Sequence, residues 1–165
     1  MKKLIGISLT VVLVLVLTLS TGAVLAGPAL HKASGGGTVD WTPDIRVTYG
    51  FTAQQIDENG NATGEYQENL RYRDWKTHGE IIYLVVDTAT GDAWLGGVTE
   101  RDSEKGAGWE FNLRVQDNGE GSKATGPDMI SGVSFGPPGS GTAAMALSKP
   151  NKTLYPFTNG NIQVK

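Results

Sequence analysis

Two segments of the chain alternate strictly between apolar residues and residues that are polar or glycine. The first runs through residues 45–53, and the second runs through residues 109–116. A period of two is typical of β-strands with one buried face. Residues 81–86 form the most apolar run after the N-terminal segment, and this run predicts the central strand of a sheet.

Further short strands are predicted at residues 65–73, 93–99 and 161–164, with turn signals between them. Asn59-Gly60 is typical of a hairpin turn, and the pair Gly96-Gly97 indicates a bulge or sharp bend inside a strand. No window of helical length carries apolar residues at three-four spacing. We therefore predict an all-β fold, a single antiparallel β-barrel-like domain of about seven or eight strands, with a β-sandwich as the alternative.

The start of the chain has the order of a secretory signal peptide. Two lysines precede an uncharged apolar run at residues 4–19, and small residues then lead to Ala26. Residues 4–26 are also long enough to span a bilayer as an uncleaved anchor. Cleavage after Ala26 is favoured because the run ends in small residues and not in a basic stop-transfer cluster. The protein is therefore expected to be secreted or otherwise extracytoplasmic.

This leader divides the chain into a signal peptide at residues 1–26, a flexible glycine-rich segment at residues 27–37 and an all-β domain at residues 38–165. Flexibility is expected because Ser34 is followed by three glycines.

The chain has no cysteine and a formal net charge of −3. We find no basic patch of the kind that nucleic acid requires, and contact with a membrane is expected only through an uncleaved leader.

Five short segments occur in a recognisable order along the chain. They are HKASGGG at 31–37, YGF at 49–51, HG at 78–79, DNGEG at 117–121 and GNIQVK at 160–165. In this order they resemble a functionally uncharacterised family of small secreted prokaryotic β-domains. The resemblance implies a secreted all-β domain, found alone or appended to larger extracellular proteins, and it brings no established catalytic residues.

The loop at residues 117–128 is the sharpest candidate for a ligand site. Four of its side chains offer oxygen atoms among glycines: Asp117, Asn118, Glu120 and Asp128. Calcium takes six to eight oxygen ligands, so calcium is the one cofactor that these residues suggest. The same residues suit ordinary turns, and their spacing is not that of an EF-hand. A second candidate for calcium binding is formed by Asp57, Asn59 and Asn61. A hairpin turn is the simpler interpretation of these three residues.

His78 is the one histidine of the predicted folded region and the only candidate for catalysis. A structural zinc site is not expected in a chain without cysteine. A serine triad would have to use Ser103, Ser131 or Ser134, but no Gly-x-Ser-x-Gly elbow is present to hold a nucleophile. A turn residue that hydrogen-bonds its neighbours is the simpler interpretation of His78.

Glycoside hydrolysis requires two carboxylates that face each other across a cleft. Five glutamates lie on or beside predicted strands: Glu65, Glu68, Glu80, Glu100 and Glu110. Because their positions alternate with apolar ones, we expect all five side chains to face water.

Large aromatic rings either build a core or line a binding surface. Trp94 and Trp109 stand among alternating apolar residues and are expected in the core. Tyr72 and Trp75 stand among charged residues at a strand end. They form the predicted ligand-binding pair, and Trp41 belongs to the same set of candidates.

Taken together, these features favour an exported, non-enzymatic β-domain that binds or supports an unknown ligand or surface outside the membrane. One alternative is a small secreted hydrolase or lyase in a β-barrel, which requires His78 to meet a carboxylate of Asp74, Glu80 or Asp117 in one pocket. The other alternative is a lipocalin-like carrier of small molecules, which requires an empty apolar cavity inside a closed barrel.

Overall fold

The computed structural model describes residues 30–165 of the protein. The predicted signal peptide at residues 1–26 lies outside the described residues. None of the helices within residues 30–165 is long and apolar enough to cross a membrane.

The strands are β1 (Lys32–Thr42), β2 (Ile45–Gln55), β3 (Ala62–Leu70), β4 (Trp75–Asp87), β5 (Asp92–Asp102), β6 (Glu110–Gln116), β7 (Met129–Ser131), β8 (Ser134–Gly136), β9 (Leu154–Pro156) and β10 (Asn159–Val164). Short 3₁₀ helices lie at Arg71–Arg73, Gly121–Lys123 and Ala144–Ser148.

The strands form one antiparallel sheet that curls into a half-barrel. Its order is β10-β1-β2-β3-β4-β5-β6-β7-β9, and β8 pairs with β6 beside this path. The prediction of an all-β, barrel-like domain is confirmed, whereas the alternative sandwich needs two sheets and is wrong. The strands outnumber the prediction because β7, β8 and β9 are only three residues long each and are too short to show a period.

Strand β1 overturns part of the flexible segment predicted at residues 27–37. Its residues 33–37 pair with β2 along one edge and with β10 along the other, while residues 27–29 lie outside the described residues. A Cβ atom at Gly35 would lie only 2.7 Å from the carbonyl oxygen of Asn161 in β10. The glycines therefore allow a close approach between strands, and pairing on both edges orders them.

The inward side of the half-barrel holds the core. Tyr66 and Phe111 pack with their ring centroids 4.7 Å apart, and the ring of Phe135 lies 6.4 Å from that of Phe111. These rings fill space that a lipocalin-like carrier would need to leave empty. The largest fully buried apolar side chains are Tyr66, Phe111, Ile81, Leu84, Leu95, Leu113, Ile130, Ile162, Val39, Val47 and Val115.

The glycine pair that was predicted to bend a strand lies in β5. Gly97 and Gly96 pair with Ile81 and Tyr83 of β4, and the register shifts between those two β4 residues. The predicted irregularity is confirmed, although the extra residue is Ile82 of β4 and not a residue of β5. A bulge of this kind increases the local twist and helps a sheet to curl.

The outer side of β5 and β6 is covered by the chain that follows β8. The carbonyl oxygen of Thr142 accepts a hydrogen bond from the Asn112 amide (2.8 Å), and that of Pro150 accepts one from the Trp94 indole (3.0 Å). Trp94 is therefore buried as expected, but on the outer side and not in the inward core. Trp109 is half-buried. On β2, β3 and β4, most outer positions stay exposed or half-buried.

Candidate ligand-binding face

A line of residues runs across the outer side of five neighbouring strands, and we call it the outward row. Each member pairs with the next across the sheet, in the order Gly36, Gly50, Gln67, His78 and Arg101. Because side chains alternate along each strand, directly paired residues face the same side of the sheet. The outward row therefore places two glycines, an amide, an imidazole and a guanidinium beside one another.

A register shift in β5 gives His78 two charged neighbours. β5 pairs with β4 through Thr99 on one side of the shift and through Arg101 on the other, so Glu100 is the extra residue. Thr99 and Asp102 are buried, whereas Glu100 and Arg101 are both exposed. Oε2 of Glu100 lies 2.8 Å from Nδ1 of His78. Bulges re-aim side chains in this way beside many functional sites.

Three depressions in this outer surface all border His78. Their volumes are about 450, 350 and 430 Å³. The first lies toward Lys76 and Arg101, the second over Gly36 and Gly50, and the third toward Glu80. We call the combined surface the His78 face, and its outward-facing residues are Gly36, Thr48, Gly50, Thr52, Gln54, Thr63, Glu65, Gln67, Asn69, Lys76, His78, Glu80, Glu100 and Arg101.

The charges of the His78 face are divided between its two ends. Lys76 and Arg101 border the first depression, and Glu65 and Glu80 border the third. Lys76 Nζ lies 2.8 Å from Asp74 Oδ1, but the two side chains are 62% and 85% exposed, so this ion pair contributes little. Glu65 and Glu80 pair directly across β3 and β4, where like charges repel each other.

A second line of residues runs through the same strands one position away and faces the core; we call it the inward row. Its members, paired in order across the sheet, are Gly37, Tyr49, Glu68, Thr77 and Asp102. Glu68 is 5% exposed and Asp102 is 9% exposed. Tyr66, which also faces inward, donates its hydroxyl proton to Glu68 Oε2 over 2.9 Å. The inward row thus holds two carboxyl groups in surroundings where charge is costly.

Asp102 offsets the cost of burial with hydrogen bonds to both carboxylate oxygens. Oδ2 accepts from the Trp75 indole (3.0 Å) and the Thr77 hydroxyl (2.7 Å). Oδ1 accepts from the backbone amides of Glu104 (2.9 Å) and Lys105 (2.7 Å). Burial by itself raises the pKa of Asp102, but these hydrogen bonds outweigh burial and hold the pKa below its usual value. Asp102 is therefore ionised and structural.

Glu68 shows the opposite balance. Burial raises its pKa to about 7, and the hydrogen bond from Tyr66 only partly opposes that rise. The expectation that five glutamates face water is wrong for Glu68, because its position in β3 shares the inward side with Tyr66. The carboxylate of Glu110 also differs, since it accepts backbone hydrogen bonds from Gly139 and Ala143 (both 3.0 Å). The other three glutamates are exposed, as expected.

The residues predicted to bind calcium lie at a seam where β10 approaches the ends of β6 and β7. Asp128 Oδ2 accepts a hydrogen bond from the backbone amide of Ile162 (2.5 Å). Asp117 Oδ2 accepts one from the backbone amide of Val164 (3.0 Å). These carboxylates occupy the positions of a neighbouring strand's carbonyl groups, so they satisfy the free edge of β10.

Glu120 extends this seam with its own carboxylate. Its Oε1 accepts hydrogen bonds from the side-chain amides of Asn161 (3.0 Å) and Gln163 (2.7 Å). The backbone amide of Asn118 donates to Asp128 Oδ1 (2.8 Å). Within residues 30–165, no group of three or more His, Asp or Glu side chains is placed to hold a metal ion. Hydrogen bonding explains these residues without an ion, and calcium binding by Asp117, Asn118, Glu120 and Asp128 stays a prediction.

Asp57, Asn59 and Asn61 form the hairpin turn between β2 and β3. Asp57 Oδ1 accepts hydrogen bonds from the backbone amides of Asn59 (2.9 Å) and Asn61 (3.0 Å). Turn chemistry therefore accounts for all three residues, as the simpler interpretation of the sequence expected.

The two aromatic residues predicted to bind a ligand have different surroundings. Tyr72 is 64% exposed in the 3₁₀ helix that follows β3. Trp75 is half-buried, its ring centroid lies 5.8 Å from that of Phe135, and Lys105 Nζ sits 4.2 Å from its ring centroid. Trp75 therefore packs against the core, and Lys105 covers one face of its ring. Ligand binding by Tyr72 and Trp75 stays a prediction. Trp41 is 39% exposed, beside Tyr155.

The three candidate serines have partners other than His78. Ser103 Oγ accepts a hydrogen bond from the backbone amide of Lys76 (3.0 Å), and Ser131 donates to the next carbonyl group (3.0 Å). Ser134 Oγ lies 2.6 Å from Lys152 Nζ. No hydrogen bond in residues 30–165 joins one of these serines to His78, so the triad is not formed.

The carboxylates predicted to meet His78 divide into two groups. Glu80 borders the same depression as His78. Asp74 is paired with a lysine, and Asp117 lies at the seam. The hydrolase hypothesis required only one of the three carboxylates to share a pocket with His78, and Glu80 does so. Glu100, which was not among the three, contacts the imidazole.

Several residues of the His78 face were not singled out from the sequence. Gln67 and Asn69 stand at alternate positions of β3 with Glu65, and this polar period of two was the available signal. Arg101 lies beyond the strand predicted at residues 93–99, because the bulge that carries it onto the face leaves no mark in the sequence.

Comparison with known proteins adds no relative to this picture, because the chain matches no family model, no curated protein and no solved structure at a significant level. The resemblance to a family of secreted β-domains therefore stays a prediction.

Proposed function

We propose that the protein is an exported, non-enzymatic binding domain and that the His78 face receives its ligand. The observation that carries this proposal is the meeting of three depressions at His78, on the side of the sheet opposite the core. Pockets with convergent polar groups are the usual places for ligands. The order of residues in the leader supports export.

The composition of the face supports a polar ligand. Thr48, Gln67 and Asn69 offer hydroxyl and amide groups that both donate and accept hydrogen bonds. The outward-facing residues of the His78 face include no Leu, Ile, Phe or Trp. A hydroxyl-rich or charged molecule would find hydrogen-bonding partners here.

Chemical-shift mapping tests the proposal. The ¹⁵N-labelled protein is titrated with dextran, xylan oligosaccharides, hyaluronate oligosaccharides and a glutamate-rich peptide. We expect at least one of these probes to shift the backbone amides of Gln67 and His78. The double variant Gln67→Ala/His78→Ala should weaken that binding about tenfold or more, since each lost hydrogen bond costs about 1 kcal/mol.

The matched control is Thr88→Ala, which changes an exposed residue in the turn between β4 and β5 and should leave binding unchanged. Shifts confined to Tyr72 or Trp41, or no shifts with any probe, would contradict the proposal. The same titration distinguishes binding without turnover from the hydrolase alternative. The contact between His78 and Glu100 is the observation that favours this alternative. Shortening of a polymer during the titration would show turnover and overturn the non-enzymatic assignment.

A further inference from the structure

The two ends of the His78 face differ in charge, and this difference restricts the ligand. At the first depression, Lys76 and Arg101 stand beside hydroxyl and amide groups. Glu68 lies behind this depression, but its carboxyl group is turned inward to Tyr66. The depression therefore presents positive charge and neutral hydrogen-bonding groups to a ligand, and it suits an anionic group.

Arg101 is the stronger of the two cations for this purpose. It is exposed, and it forms no ion pair with another residue between 30 and 165. A guanidinium binds a carboxylate through two parallel hydrogen bonds. Lys76 has Asp74 as a partner, but that pair is exposed and weak, so a ligand carboxylate can compete for the ammonium group.

The opposite end of the face limits how much negative charge the ligand can carry. Glu65, Glu80 and Glu100 border the third depression, and the whole chain has a formal net charge of −3. A polymer with an anionic group on every unit would bring charge against these carboxylates, and like charges at close range are strongly disfavoured. The ligand should therefore carry its negative charge at intervals, with neutral units between.

Neutral units that fit this surface are sugars rather than peptide. Hydroxyl groups pair with the amides of Gln67 and Asn69 and with the carboxylates of the glutamates. A peptide strand would need a free sheet edge for its backbone, but the strands of the outward row are paired with neighbours on both sides. The His78 face therefore offers side chains and not backbone.

Resting on the proposed function, we infer that the ligand is a polysaccharide whose carboxylate groups are separated by neutral sugars. Arg101 and Lys76 hold one carboxylate, and the neighbouring neutral sugar lies over the outward row toward Glu80. This assignment explains why one face carries cations at one end and carboxylates at the other.

Calorimetry with matched polymers tests the inference. Hyaluronate oligosaccharides carry one carboxylate on every second sugar, and their carboxyl-reduced forms have the same backbone without charge. We expect the reduced form to bind about tenfold more weakly, and Arg101→Gln to lose about tenfold for hyaluronate, as befits one charge-assisted hydrogen-bonded pair. Lys123→Gln removes an exposed lysine of the seam loop and should change nothing.

The outcomes separate the inference from the proposed function. Equal binding of both forms at the His78 face overturns the inference and leaves the proposed function standing. Binding of hyaluronate at another surface, seen by chemical-shift mapping, contradicts the proposed function itself. Tighter binding of dextran sulfate or of a glutamate-rich peptide overturns the inference, and so does a failure of hyaluronate to bind. An unchanged thermal midpoint of Arg101→Gln shows that the variant is folded.

Discussion

The outward and inward rows run across the same strands, one position apart, and they use polar side chains in different ways. In the inward row, Asp102 is almost covered and both of its carboxylate oxygens accept hydrogen bonds. In the outward row, Arg101 is exposed and has no charged partner among residues 30–165. Neighbouring residues of one strand thus differ: one has its charge satisfied inside the protein, and the other leaves its charge available to the proposed ligand. Substitutions at the two positions can test this difference.

The largest expected effect comes from removing the Asp102 carboxylate. Asp102→Ala leaves the Trp75 indole, the Thr77 hydroxyl and two backbone amides without their acceptor. Because these four donors are buried or partly buried and lose a charged acceptor, we expect the free energy of unfolding to fall by about 4 kcal/mol. Urea denaturation monitored by tryptophan fluorescence measures this change.

Arg101→Ala is the matched control for Asp102→Ala, since it changes the preceding residue on the exposed side. It should alter the free energy of unfolding by about 0.5 kcal/mol or less. Equal losses for the two variants would remove the distinction between the rows. Asp102→Asn should fall between them, because the amide keeps one oxygen acceptor but not the charge.

A smaller effect is expected from Glu68, and it depends on pH. The pKa of Glu68 is about 7 in the folded protein, against an ordinary value of 4.5, so the folded state holds the proton more tightly than the unfolded state. Stability contributed by this group is therefore full below about pH 4.5 and is lost as the pH rises through about 7. The loss amounts to about 3 kcal/mol at most.

Glu68→Gln should abolish this loss, because the neutral amide can still accept the hydrogen bond from Tyr66 and never ionises. We expect the variant to match the wild type at about pH 4 and to exceed its stability at pH 8, as measured by urea denaturation at both values. Glu80→Gln, an exposed residue of the His78 face, is the control and should leave the pH dependence unchanged. A wild-type protein equally stable at both values would refute the assignment.

Local patterns were enough to predict β2 and β6, because a buried face repeats at every second residue in each. They were not enough for β1. The glycines of residues 35–37 have no side chains to form a pattern, and β1 is ordered by β10, which lies far away in sequence. Pairing between β1 and β10 depends on the curl of the whole sheet, so it cannot be predicted from the sequence around residues 35–37.

The candidate site shows the same limit. His78 was singled out for its chemistry, but its neighbours follow from the register between β3, β4 and β5. Glu68 was expected among the exposed glutamates because of its charge, although Tyr66 and Leu70, two residues to either side, give the phase that faces inward. Arg101 needed both the register and the bulge before its position on the face was evident.

The smallest expected effect concerns the two glycines of the outward row. A Cβ atom at Gly50 would lie 2.6 Å from Nε2 of Gln67, and one at Gly36 would lie 3.1 Å from the carbonyl oxygen of Tyr49. The end of a glutamine side chain can move away, whereas backbone cannot. Alanine also restricts the unfolded chain, which offsets part of any strain. Gly50→Ala should therefore change the free energy of unfolding by about 0.5 kcal/mol or less, and Gly36→Ala should lower it by about 1 kcal/mol.

Thermal melts give the order of the two variants, and the side-chain amide signal of Gln67 should shift only in Gly50→Ala. A loss of about 2 kcal/mol in Gly50→Ala would mean that Gln67 is held as firmly as an inward residue, and the outward row would then belong to the structure and not to a surface free to adapt to a ligand.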